Sequence, residues 1–433
     1  MIKSRTIRKA SLLLLLASVM LSGCQWVQDP KSMLKEPRLS TDKANLKSII
    51  DSQKPEGANI IRPRNADDRS TIRIADLNND GKGEAIVFYE TPDKEVRIHG
   101  MIFKSDGDTW TKVFDFDGEG TQLDRVELVD LTGDKSLELV VGYGSNDPKL
   151  NKGLVVYRFT DTEMVRLFEQ PYSQFVIDDL DQSGKNRLFI LNNRSGQIPV
   201  LFSFDYQNGR MVKFHELKLS TGTNAYTNMV SGFISKDRKG LVLDADADAG
   251  ANNYISNIIG MNKDHMLESL LQEGLTDNKR IDIKSSDMNG DGIIEIGIPE
   301  QPHGWDLYQS HEIPYFTNFF QWDGQHGLKL VEKQYRDHMD RFHLTFPKSW
   351  YGRVTVDTKS KKDEMLRFVD LHTNETFAII RFFTPEAWES YKEKWTYLSS
   401  FGDKIIGIYS KEPLNAKQGV PKMPELDKSD SDS

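Results

Sequence analysis

One acidic nine-residue segment occurs five times in this chain at nearly constant spacing. The copies are DLNNDGKGE (76–84), DLTGDKSLE (130–138), DLDQSGKNR (179–187), FISKDRKGL (233–241) and DMNGDGIIE (287–295). Their starts lie 54, 49, 54 and 54 residues apart. A fixed period of this length marks an array of like supersecondary units, because each unit buries its apolar faces only against its neighbours.

The flanks repeat as well. Short β-prone runs precede the loops: TIRIA, RVELV, QFVID, MVSG and RIDIK. Apolar runs of strand length follow them: AIVFYE, LVVGYG, LFILNN, VLDADA and IGIPE. Further on, each copy has two strand-like runs around a turn, at Ser105-Asp106-Gly107, Asp161-Thr162, Gln207-Asn208-Gly209, Asn262-Lys263-Asp264 and Asp323-Gly324. Such turns between alternating runs signal hairpins. Each unit therefore holds about four strands in about fifty residues, the size of a β-propeller blade. The expected fold is mainly β: a propeller of about five four-stranded blades over 58–338, followed by a small α+β domain over 339–414. A solenoid is the alternative. The propeller is preferred because the runs are apolar on both faces and closing a ring leaves no outer unit uncovered.

The loop pattern supplies oxygens at alternate positions. Asp76, Asn78, Asp80 and Glu84, with the carbonyl of Lys82 and a turn at Gly81, match the spacing by which hard cations collect six to eight oxygens. Asp287, Asn289, Asp291, Glu295 and the carbonyl of Ile293 repeat it around Gly292. Asp130, Thr132, Asp134, Ser136 and Glu138 keep the oxygens but carry Lys135 in place of glycine. In the third copy Arg187 stands where the last acid belongs, and the fourth keeps only Asp237. Calcium is expected at the first and last copies, with the second a weaker site; it would tighten a unit rather than catalyse. The competing reading is that Asp, Asn and Gly here only make turns. Asp244, Asp246 and Asp248 alternate in DADADAG, with Asn252 nearby; they face either a cation or open water.

These loops, set between strands, resemble the FG-GAP/VCBS repeat family, whose members build propellers such as the integrin α-subunit head. The match covers about 270 residues, counted from the first to the last repeat, and lacks the family's Phe-Gly and Gly-Ala-Pro signatures. The resemblance implies binding of a protein or glycan ligand.

Lys3, Arg5, Arg8 and Lys9 precede an apolar stretch with five consecutive leucines, which ends at Leu21-Ser22-Gly23-Cys24. The apolar stretch is too short to span a bilayer as a mature helix. The segment resembles the lipobox of bacterial lipoproteins, so 1–23 reads as a signal peptide and Cys24 as the lipidated residue. Cys24 is the only cysteine, which leaves no disulfide to form. Two or more acyl chains give stable anchoring. The mature chain is then expected on the extracytoplasmic face of a bacterial membrane, with 24–57 as a tether and 415–433 as a disordered tail. Loss of 1–23 removes four cations and takes the net charge from −9 to −13, which argues against nucleic acid as a partner.

No H-E-x-x-H, G-x-S-x-G, P-loop or G-x-G-x-x-G motif is present, so no catalytic residue is assigned. A glycan- or cell-wall-acting enzyme, with paired carboxylates, and a structural accessory subunit are the other functional readings. Trp305, Tyr315 and Trp322 can be read as sugar-stacking residues or as blade core. At the C-terminal end, TPEAWESYKEKW carries an N-cap threonine followed by proline and predicts a helix.

Overall fold

The computed structural model describes residues 41–65, 70–91, 96–107, 109–145, 152–161, 163–194, 196–220, 223–247, 253–272, 274–276 and 279–419. The expected signal peptide, Cys24, the first part of the tether, Thr162, Asp248, Asn252 and the tail beyond 419 lie outside them.

The chain is mainly β, and each acidic loop leads into its own antiparallel sheet. In the first, β1 (Asn59–Ile61) and β2 (Ile72–Ala75) share one edge of β3 (Glu84–Glu90), followed by β4 (Ile98–Asp106) and β5 (Thr109–Asp117). The second runs β6 (Gln122–Val129), β7 (Glu138–Gly144), β8 (Lys152–Phe159), β9 (Met164–Tyr172). The third runs β10 (Gln174–Asp178), β11 (Arg187–Asn192), β12 (Val200–Gln207), β13 (Arg210–Lys218). The fourth runs β14 (Thr223–Phe233), β15 (Lys239–Ala247), β16 (Tyr254–Met261), β17 (Leu267–Ser269). β3, β7 and β11 are buried at nearly every position, which is why they read as unbroken apolar runs. The β12–β13 turn uses Asn208 and Gly209 at φ +50° and +84°, the left-handed pair a tight hairpin needs.

The fifth sheet departs from the pattern. β18 (Ile296–Glu300), β19 (Phe316–Trp322) and β20 (Leu328–Arg336) form as expected, but RIDIK forms no strand. That segment is held instead by polar side chains described below. The opposite edge extends to β21 (Phe342–Thr345), which the sequence assigned to the C-terminal module. That module is a sheet of β22 (Val354–Val356), β23 (Met365–Asp370), β24 (Thr376–Phe383), β25 (Thr396–Phe401) and β26 (Lys404–Ser410), in the order β22-β23-β24-β26-β25. β27 (Asn415–Gln418) then returns to pair with β21. Residues 415–418 were expected in a disordered tail; they cover the edge of β21, whose unpaired backbone groups would otherwise be open to other chains.

Buried side chains join the sheets in chain order. Phe88 and Ile102 of the first sheet pack with Val126 and Val141 of the second, and Val140 and Val156 with Phe175 and Ile190 of the third. Leu191 and Leu201 pack with Leu241 and Leu243 of the fourth, and Val242 and Ile258 with Ile296 and Trp322 of the fifth. The outer face of the first sheet, at Val87, Met101 and Phe103, is covered by Leu46 and Ile50 of helix α1 (Thr41–Gln53). The outer face of the fifth, at Phe316, Tyr335 and Phe342, is covered by Leu366, Phe368 and Ile380 of the C-terminal sheet. Among the described residues no buried cluster joins the first repeat sheet to the fifth. No helix among them is long and apolar enough to cross a membrane.

If α1 is a structural cap, Leu46→Ala should destabilise the chain by about 2–5 kcal/mol, as for a large buried side chain. Denaturant unfolding that leaves the midpoint unchanged would show that the first sheet does not need this cover.

Candidate metal centre

The first, second, third and fifth loops share one backbone. Their fourth positions, Asn79, Gly133, Gln182 and Gly290, all have positive φ, as do their sixth, Gly81, Lys135, Gly184 and Gly292. The aspartate at position one makes this turn. Its Oδ2 accepts from the sixth-position N–H in every case: Gly81 to Asp76 at 2.8 Å, Lys135 to Asp130 at 2.9 Å, Gly184 to Asp179 at 2.6 Å and Gly292 to Asp287 at 2.9 Å. The turn reading therefore accounts for this aspartate even where the rest of the metal pattern is worn. The fourth copy uses a shorter turn, with Ile234 and Ser235 N–H groups donating to the Arg238 carbonyl. The loops lie side by side: Leu137 N–H donates to the Leu77 carbonyl at 2.8 Å, and Ile294 N–H to that of Phe233 at 2.8 Å.

The ninth position separates the copies. Glu84, Glu138 and Glu295 are fully buried, and Oε2 of each accepts from the second-position N–H, of Leu77, Leu131 and Met288 at 2.8, 2.8 and 2.7 Å. Burial pushes all three carboxyls above the ordinary glutamate range, despite these donors.

In the fifth loop, oxygens of Asp287, Asp291 and Glu295 all lie within 4.8 Å of one another. Ligands on opposite sides of a calcium ion, each at about 2.4 Å, stand roughly that far apart. Asn289 and Gln321 place amide groups among these oxygens. Asn289 Nδ2 donates to Asp291 at 3.2 Å and Glu295 at 2.9 Å; Gln321 Nε2 donates to the same two at 2.9 and 2.7 Å. The donor set, all carboxylate and amide, suits a hard cation. Gln321, on β19, lies outside the motif, and only the register of β18 with β19 brings it in.

The first loop does not gather its carboxylates in this way. Lys104 Nζ donates to Asp80 at 2.6 Å and also to Asp161, and Asn78 turns toward Asp161 at 3.0 Å. In the second, Arg158 bonds Glu138 at 2.9 Å, Asp134 at 3.0 Å and Thr132; Ser136 contributes its N–H to Asp134. In the third, Arg187 pairs with Asp181 at 2.6 Å. The backbone carbonyls of Lys82 and Ile293 occupy the seventh position, after N–H groups that donate to Asp80 and Asp291.

The alternating aspartates also have a side-chain cation. Asp244 is buried and accepts from Ser256 Oγ at 2.5 Å, Ser285 N–H at 2.6 Å, Ser285 Oγ at 2.8 Å, Asn228 Nδ2 at 2.9 Å and the fully buried Lys279 at 3.3 Å. Lys279 also donates to Ser256 at 2.8 Å and the Ile283 carbonyl at 2.9 Å. This network fixes 279–285, where a strand was expected. Burial alone would raise the Asp244 carboxyl, but Lys279 and these donors outweigh it and hold it below the ordinary range. Asp246 accepts from Asn224. A further group, Asp337, His338 and Asp363, is bridged by Arg341, at 2.7 Å from Asp337 and 2.5 Å from Asp363. Sequence spacing could not find Asp363, which comes from the C-terminal module.

Trp305 and Trp322 are core residues, and Tyr315 packs partly buried beside the core. Exposed aromatics lie elsewhere. Around helix α2 (Pro385–Tyr391), capped by Thr384 as expected, Phe383 stacks edge-on with Trp395 at 5.1 Å. Trp388 meets Tyr397 at 6.1 Å, Trp395 meets Tyr409 at 6.2 Å, and Arg381 sits 5.6 Å over Tyr391. Tyr391, Tyr397 and Tyr409 are 45%, 51% and 43% exposed.

Three results follow from this geometry. Lys135→Gly should stabilise the chain by about 1 kcal/mol, by relieving a left-handed lysine, as read by denaturant unfolding. Lys279→Met should cost about 3–5 kcal/mol, because Asp244 stays buried without its cation. Since Asp244 titrates below its unfolded value, its contribution is present above the ordinary carboxylate range and is lost as pH falls through the depressed value. The gap between wild type and Asp244→Asn should therefore be widest near neutrality and close in acid; a gap independent of pH would refute the ionised assignment.

No family model matches the chain, and no curated protein does. Among solved structures, a hypothetical selenium-binding protein from Sulfolobus tokodaii is similar at 13% identity and TM-score 0.29; the match covers 48% of this chain and 55% of that one. A Bacillus licheniformis rhamnogalacturonan lyase matches at 10% identity and TM-score 0.34, over 86% of this chain and 71% of that one. TolB from Acinetobacter baumannii matches at 11% identity and TM-score 0.26, over 70% and 64%.

Proposed function

We propose that this chain is a membrane-tethered binding protein: five propeller-type blades of the FG-GAP/VCBS kind, tethered through Cys24 on the extracytoplasmic face, tightened by calcium in the 287–295 loop, and presenting an aromatic surface to a protein or glycan. The exposed Tyr391, Tyr397 and Tyr409, with the half-buried Trp388 and Trp395 between them and Arg381 beside them, carry the binding reading. Tryptophan, tyrosine and arginine dominate the energetics of binding surfaces, because they offer large, stiff contact areas with polar tips. Aromatic faces also stack on sugar rings, so the surface suits either ligand class.

The alternative of a glycan-cleaving enzyme needs two carboxyl groups facing one cleft. The buried aspartates among the described residues are engaged otherwise: Asp124 by Lys152 and Tyr172, Asp205 by Lys185, Asp244 by Lys279, Asp337 by Arg341, and Asp370 by two backbone N–H groups and Arg353. Calcium fits a supporting role. Extracellular calcium modules bind with dissociation constants of roughly 0.1–1 mM, so about 1 mM calcium would add on the order of 0.4–1.4 kcal/mol at one site.

The test is retention of the purified full chain, in mild detergent, on immobilised cell-wall glycans and on extracellular proteins. A Tyr391→Ala/Tyr397→Ala variant should bind the retained ligand about tenfold or more weakly, with its unfolding midpoint unchanged. Equal binding by variant and wild type would remove this surface from the function.

A further inference from the structure

Across the ladder from the ninth loop position, the first, second, fourth and fifth sheets place residues of different character. Lys104 pairs with Glu84 in register. Arg158 follows Tyr157, the partner of Leu139, and so faces Glu138. Ile259 pairs with Leu241. Gln321 follows Phe320, the partner of Ile296, and so faces Glu295.

We propose that this cross-strand residue decides which loops take a divalent cation: Gln321 completes a calcium site in the fifth loop, while Lys104 and Arg158 fill the same place in the first and second with a side-chain cation. The inference rests on the calcium reading above and adds to it the residue that selects among loops of one backbone.

The hydrogen bonds carry the argument. In all three glutamate copies Oε2 is tied to the second-position N–H, which leaves Oε1 as the oxygen free for the loop's other groups. In the second loop the Arg158 guanidinium donates to oxygens of the third, fifth and ninth positions: Thr132, Asp134 and Glu138. Those are positions from which a calcium ion would draw ligands. In the first loop Lys104 takes the fifth-position Asp80 and reaches on to Asp161 of the next sheet. Glu84 Oε1 is then left buried with no hydrogen-bond partner, on a side chain with no exposed surface. Its counterparts show where it is aimed: Glu138 Oε1 meets Arg158, and Glu295 Oε1 meets Asn289 and Gln321. The first loop thus keeps the donor a metal would use, while a lysine neutralises its neighbours. In the fifth loop the side chains that bond Asp291 and Glu295 are the neutral amides of Asn289 and Gln321, and Asp287 accepts from backbone N–H groups beside them. Turning the Gln321 side chain about its last bond would replace its donor with an oxygen, since the two ends of an amide have nearly the same shape.

The experiment is a calcium titration of the full chain in detergent, read as stoichiometry by calorimetry after removal of metal with chelator. Wild type should bind one calcium, Gln321→Lys none, and Lys104→Gln two. The two variants should match wild type in circular dichroism in chelator. Gln321→Met serves as a second loss-of-site variant should the lysine prevent folding. If wild type binds one calcium but Gln321→Lys and Gln321→Met still bind it, or Lys104→Gln gains none, the selecting role is overturned and the calcium reading stands. If wild type binds no calcium at all, the calcium reading itself falls, and this inference with it.

Discussion

Face-to-face burial of the repeat sheets is the constraint on which the rest of the chain depends. A four-stranded sheet with apolar side chains on both faces needs a cover on each. Here the second, third and fourth sheets cover one another, and the ends are covered by unlike elements, α1 and the C-terminal sheet. With only one cysteine, and that outside the described residues, packing alone must hold the array. The acidic loops follow from this arrangement. Each must turn the chain sharply into the buried central strand, and in four of the five the position-one aspartate does so by accepting backbone N–H groups that would otherwise lack partners.

Burial brings a second requirement, because the ninth loop residue sits at the start of a strand with no access to water. A carboxylate there needs compensation. The copies meet this need differently: a lysine beside the first, an arginine on the second, reversed charge in the third, two apolar residues in the fourth and two amides in the fifth. The same logic governs Asp244 with Lys279 and Asp337 with Arg341. Acidic patterns that suggest metal in the sequence are thus mostly answered by basic side chains.

That answer marks the limit of what the sequence could reveal. The repeat period, the central strands, the hairpin turns and the α2 cap were legible, because each depends on residues close in the chain. The loop backbone was legible from its Asp and Gly positions. Lys104, Arg158 and Gln321 were not, since each lies about twenty or more residues from its loop and matters only through ladder register. RIDIK has the alternation of a strand, yet a buried lysine one residue before it holds the segment elsewhere. NAKQ, expected in a disordered tail, pairs because the edge of β21 was available.

The unlike covers at the two ends have a consequence for how such a chain can change. The first sheet has a face covered by a helix and the fifth a face covered by a separate sheet, and neither contact depends on how many sheets lie between them. Duplication or loss of one internal unit would leave both end contacts as they are. The length of the array is therefore free to drift over generations, while the elements that finish it are not.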